Sequence, residues 1–359
     1  MQNRSRKAPF LATVATGLAG LVGCANTNET VPTVDVIPFP NKIAVNGTLG
    51  NQTEAGSAQI RQIRPLPLSE DNTFGAVATV EGQASRGEYN RAEDTSVEAT
   101  QLDGKISLGL YGSRQNGTYF SFAPTGRYSS VATDGVTEKR IILGLGADAL
   151  VQTAIGGDRN FLRLSLGGEY LDENTNYERG FSADGNGFRV GAQGMYDLWV
   201  NTESETGRRL VERRLALILG GAFSNMDRTI DGTVSNTPVS LDEAEKRYAA
   251  NAGLLFADNK HGFYVLLGGK ATFVDVSRDG NTNNKHSSST SAGPVVELGF
   301  NLRRLFDSDF RDDTWALYLK GQAGYNVNNR TDDEVYGTVG IDLADSVDLA
   351  GRIFGFKAR

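Results

Sequence analysis

From about residue 104 to residue 356 the chain alternates apolar and polar residues with period two. Successive side chains on a strand point to opposite sides, so this alternation describes strands with one apolar and one polar face. In 105–113, Ile106, Leu108 and Leu110 oppose Lys105, Ser107 and Tyr111. In 161–170, Leu162, Leu164, Leu166 and Tyr170 oppose Arg163, Ser165 and Glu169, and in 187–199 Phe188, Val190 and Tyr196 oppose Arg189, Gln193 and Asp197. The division recurs in 214–223, 262–273, 295–303 and 315–325, where Leu215, Leu267, Leu298 and Leu319 sit against Arg214, Lys270, Glu297 and Lys320. Weaker strands fit 75–82, 95–102, 118–124, 139–152, 247–257, 333–343 and 346–356, and Asp103-Gly104 reads as a two-residue hairpin turn. Polar spans at about 126–138, 171–186, 227–245 and 276–289 read as longer loops between the hairpins.

The two faces indicate where such a sheet belongs. Lys105, Arg163, Glu169, Arg189, Arg214, Lys270, Glu297, Lys320 and Arg352 occupy the polar face beside many of the 43 glycines, which suits a hydrated, crowded lumen. On the apolar face, Phe263 and Phe273, and separately Trp315 and Tyr325, lie ten residues apart with the same parity. Ten residues at about 3.3 Å each, tilted about 45°, climb roughly 23 Å, close to the ~25 Å apolar band edged by aromatic girdles in membrane barrels. This pattern resembles that of outer-membrane β-barrels. The resemblance implies an all-β fold, an antiparallel transmembrane β-barrel of about 12–14 strands over residues 73–359, with those charges facing the lumen and those four aromatics at the membrane edges.

Two features depart from the resemblance. The last aromatic, Phe356, stands three residues before the C-terminus, and a final hairpin turning near Ala344 would leave the chain end on the side of the long loops. A soluble kelch-like propeller is the competing fold, because Leu166-Gly167-Gly168, Leu219-Gly220-Gly221 and Leu267-Gly268-Gly269 recur about fifty residues apart. Kelch blades also carry a spaced Tyr and Trp, and Trp199 and Trp315 are the only tryptophans.

At the N-terminus, Arg4, Arg6 and Lys7 precede an uncharged stretch from Ala8 to Val22, the size of a secretory h-region and short of the ~20 residues a spanning helix needs. It ends Leu21-Val22-Gly23-Cys24, which resembles the lipobox of bacterial lipoproteins. That resemblance implies removal of residues 1–23, lipidation of Cys24 and, with Ala25 next, sorting to the outer membrane. An ordinary secretory signal cut after Ala25 is the alternative. Cys24 is the single cysteine, so no disulfide forms within one chain. Pro32, Pro38, Pro40, Pro65 and Pro67 crowd residues 24–72, which read as an extended tether or as a plug folded against the barrel.

A net charge of −7 and a pI near 5.1 exclude a basic nucleic-acid-binding surface as the main business of the chain. No Gly-x-Ser-x-Gly, His-Glu-x-x-His or Cys-x-x-Cys motif occurs, His261 and His286 sit in polar turn or loop surroundings, and Asp307, Asp309, Asp312 and Asp313 do not have EF-hand spacing. The expectation is therefore a protein that is not an enzyme and holds no cofactor or metal. It is expected to be a lipid-anchored, integral outer-membrane barrel, with membrane lipid as partner and porin-like passage of small solutes or ions as its role. The alternative is a non-transporting barrel that contacts envelope proteins.

Overall fold

A computed structural model describes the chain between Asn41 and Asp345; residues 1–40, 303–314, 346–359 and the tips of most shorter connections lie outside the description. The strands are β1 (Asn41–Gly50), β2 (Thr53–Pro67), β3 (Asn72–Ala92), β4 (Thr95–Arg114), β5 (Tyr119–Thr133), β6 (Val136–Ile155), β7 (Asn160–Tyr177), β8 (Phe181–Glu205), β9 (Arg208–Val234), β10 (Thr237–Asp258), β11 (Phe263–Gly280), β12 (Lys285–Asn301), β13 (Trp315–Asn328) and β14 (Glu334–Asp345). Each pairs antiparallel with its sequence neighbours, and β1 pairs with β14, closing a 14-strand barrel. This is the architecture of a transmembrane β-barrel: closure satisfies every strand edge, the condition for a sheet to cross lipid. The propeller alternative falls with it, and the three Leu-Gly-Gly sequences lie mid-strand in β7, β9 and β11.

An even strand number brings the start of β1 and the end of β14 to one end of the barrel, called here the terminal end. Ala344 is not at a turn; it pairs with Lys42 and Ala316 inside the wall. The expected strand 346–356, with Arg352, lies outside the described residues, as do Cys24 and the lipobox.

Three expectations about boundaries are corrected. Residues 41–67 are not a tether but the first two strands, so the barrel begins at Asn41 and not near residue 73. Pro65 and Pro67 fit because β1 pairs with β2 only as far as Arg61; beyond it, β2 is bonded to β3 alone among the described residues, and a missing N–H there breaks no second ladder. Asp103-Gly104 is no turn, since β4 passes straight through it, pairing with Gln83-Gly82 and with Ser129-Tyr128. The four spans expected as long loops are strand throughout their described residues, in β5–β12; residues 134–135, 178–180, 235–236 and 281–284 within them lie outside the described residues. There the strands rise past the apolar belt and carry polar residues on both faces, which erases the alternation by which strands are recognised.

Candidate functional site

The outer face is a belt. Ile106, Leu108, Leu143, Leu219, Leu267 and Val339 are exposed around it, an arrangement that only lipid makes favourable over so much contiguous surface. Two rows of aromatics bound it. Towards the far end, Phe188, Phe223, Tyr248 and Phe273 follow one another across β8–β11 with ring centroids 5.6, 4.9 and 6.0 Å apart, and Tyr170 continues the row by pairing with Phe188. Towards the terminal end, Phe263 stands 6.0 Å from Phe256 and pairs with Phe300. Of the four aromatics singled out by spacing, Phe263 and Phe273 thus fall in the two separate rows, and Tyr325 is exposed on the outer face of β13. Trp315 opens β13, with its side chain outside the described residues.

Inside, the lumen is polar in its far half and carries an apolar layer nearer the terminal end, beside the buried charges Arg163, Asp197 and Arg214. The apolar layer comprises Met195, Ala216, Ile218, Leu255, Ala257 and Tyr264, with Leu266 and Tyr318 packed against it. On the inner face of β3–β5, Val77 and Tyr111 pack with Tyr119. Above this layer a cavity of about 440 Å³ is lined from most of the strands, including by Lys105, Arg127, Arg189, Arg228, Glu245 and Asp342.

The charges that face the lumen form pairs and networks. Arg228 donates through Nε to Glu173 at 2.9 Å and through Nη1 to Glu243 at 2.8 Å and Glu245 at 3.3 Å. Arg247 donates to Glu245 at 2.6 Å, Arg278 to Glu243 at 2.6 Å, and Arg140 lies 3.8 Å from Glu173. Nearer the belt, Glu169 accepts from Arg127 at 2.5 Å and from Thr125 at 2.6 Å. Closer to the terminal end, Arg214 meets Asp197 at 3.2 Å, both buried. A bulge between Asp197 and Trp199 makes this possible: it turns Leu198 and Trp199 outward together while Asp197 stays inside.

All the lumen candidates of the sequence within the described residues point inward. Lys105 and Arg189 line the cavity, and Glu169, Arg163 and Arg214 are buried on the inner face. Glu297 accepts from Tyr264 at 2.6 Å, Lys320 pairs with Asp342, and Lys270 stands 4.5 Å over the Tyr336 ring. The structure adds Arg127, Arg140, Glu173, Arg228, Glu243, Glu245, Arg247 and Arg278, which sequence reasoning missed. Most lie in or beside the spans read as loops; the run Glu243-x-Glu245-x-Arg247 carried the signal, a charge at every second residue.

No family model and no curated protein matches the chain. Among solved structures, it is similar to the translocator domain of the autotransporter NalP from Neisseria meningitidis, with 12% identity and a TM-score of 0.40 over 84% of this chain and 88% of that one. An outer membrane channel from Pseudomonas putida F1 gives 12% identity and a TM-score of 0.40 over 88% and 99%. The transport unit of the autotransporter AIDA-I from Escherichia coli gives 9% and 0.40 over 95% and 99%.

Proposed function

We propose that this chain is an integral outer-membrane β-barrel, anchored in addition by a lipid on Cys24, through which small solutes pass. One observation carries the reading: a lipid-type exterior between two aromatic rows encloses a charged lumen that holds a cavity of about 440 Å³. A charged interior is costly unless it is hydrated or paired, and a water-filled path is what so large a polar cavity supplies. No catalytic step belongs to this reading. The test is single-channel recording in planar bilayers with the purified barrel, which should show discrete conductance steps.

A second reading, a closed barrel with a structural or partner-binding role, is favoured by the apolar layer, where Leu255 and Ala216 are 0% exposed. It expects no conductance from a correctly folded barrel. Slower migration on gels of unheated protein, relative to boiled protein, establishes folding in both cases.

A further inference from the structure

We propose that the lumen cavity takes an uncharged, polyhydroxylated solute, a monosaccharide or a small polyol, against a wall of amides and hydroxyls on β1–β5: Asn46, Ser57, Gln59, Gln83, Gln101 and Ser129. The inference rests on the permeation reading above and names its solute class.

The charged residues around the cavity cancel one another. Lys105 pairs directly across the β3–β4 ladder with Glu81, and Arg189 across β7–β8 with Glu169, which also accepts from Arg127. Asp103 lies in the field of Arg140 and Arg127. Arg140, Arg228 and Arg247 meet Glu173 and Glu245, and Lys320 meets Asp342. An ion that enters such a chamber sheds water and finds no net opposite charge in return, which is costly where the surrounding dielectric is low. An uncharged solute loses much less on leaving bulk water, provided its hydroxyls find partners.

Those partners stand on β1–β5, where all six uncharged side chains line the cavity. Asn46, Ser57 and Gln83 form one cross-strand row, Asn46 pairing with Ser57 and Ser57 with Gln83. Gln83 pairs in turn with Asp103, and Asp103 with Ser129. Gln59 and Gln101 stand two residues from Ser57 and Asp103 on their own strands and so share the inner face. Two of the amides are oriented by the wall: Gln59 donates through Nε2 to Glu81 at 2.9 Å, and Gln101 through Nε2 to Asp103 at 3.3 Å and to Ser129 at 3.5 Å. Each spends its nitrogen there and keeps its carbonyl oxygen to accept from a solute hydroxyl, while Gln83 supplies both a donor and an acceptor. Neighbouring strands set these groups about 4.8 Å apart, within the span of one sugar ring. The cavity of about 440 Å³ falls in the usual range of small-molecule sites, roughly 300–1,000 Å³.

The test is the swelling of liposomes that carry the full-length protein, with the potassium chloride conductance of the same preparation measured in planar bilayers. Glucose should enter severalfold faster than gluconate or N-methylglucamine, polyols of similar size that carry one charge of either sign. Gln83→Met and Gln101→Met keep the charge balance and nearly the volume; each should slow glucose severalfold and leave the potassium chloride conductance near wild type. Gln83→Glu should slow glucose and shift the reversal potential across a potassium chloride gradient toward potassium. Lys246→Gln, on the exposed outer face, should change neither. If one methionine variant fails to show heat-dependent gel migration, the other and Ser57→Ala carry the comparison. Entry of either charged polyol as fast as glucose, conductance without glucose entry, or unchanged glucose entry in a folded methionine variant overturns the polyol site while leaving permeation standing. Absence of both swelling and conductance in folded wild type overturns the permeation reading and this inference with it.

Discussion

Tyr264 pairs across the β11–β12 ladder with Gly299, and its ring fills the space a side chain would take: a Cβ on Gly299 would stand 2.0 Å from the ring. The ring is held there by its hydroxyl, which donates to Glu297 at 2.6 Å, and by Tyr318, whose centroid is 6.0 Å away. Gly299→Val should therefore expel the ring from the apolar layer and cost about 1–3 kcal/mol, the usual penalty of overpacking. Urea titration of barrels folded into vesicles measures it; a midpoint equal to wild type would show that the ring is not fixed by this contact.

Leu267 lies mid-strand on the outer face, 54% exposed, and Leu319 occupies the same face of β13. An arginine at the bilayer midplane of a barrel costs about 2–4 kcal/mol. Leu267→Arg and Leu319→Arg should fold into bilayers poorly, which the yield of heat-modifiable protein reports. Wild-type yield from both would mean that this face is not in lipid.

Two lumen lysines that look equivalent in sequence should behave differently. Lys270 stands over the Tyr336 ring, so Lys270→Gln removes a cation–π contact worth about 0.5–2 kcal/mol. Lys320 neutralises Asp342, which is 2% exposed, so Lys320→Gln strands a buried carboxylate at a cost of about 3–5 kcal/mol. Adding Asp342→Asn to Lys320→Gln should recover much of the loss. Equal stabilities for the two single variants in denaturant titration would sink this distinction.

Arg228 bridges three carboxylates. Arg228→Met should destabilise the far end of β7–β10 through repulsion among Glu173, Glu243 and Glu245, again by about 3–5 kcal/mol. Hydrogen exchange should rise locally on those strands beyond the aromatic row, with the belt unchanged. Unaltered exchange there would mean that the network does not hold the tall side of the wall.

Metabolic labelling with a palmitate analogue tests the anchor. Label should enter the wild-type chain and be lost from Cys24→Ser, which should accumulate as unprocessed precursor. Label retained in the variant, or absent from wild type, would refute lipidation at Cys24.

Wherever one face of a strand meets lipid and the other the lumen, the sequence alone determined the outcome. Ile106, Leu108 and Leu110 had to share a face, and the period of two then placed Lys105 opposite them, because shifting a strand by one residue would turn every side chain to the wrong solvent. The same constraint made Phe263 and Phe273 readable as edge markers. It lapsed beyond the belt, where water lies on both sides: Glu243, Glu245 and Arg247 point inward and Asp242 and Lys246 outward, and hydrophobicity does not distinguish them. Only the closed ladder decided those positions. It likewise decided that residues 41–67 belong to the wall, since Asn46 and Thr48 gain their partners Gly340 and Thr338 from strands nearly three hundred residues away. Which charges pair was also left to the tertiary structure. Arg228 reaches Glu173 55 residues back and Glu243 15 residues on, neighbours created by strand register and barrel curvature and not by any spacing in the chain.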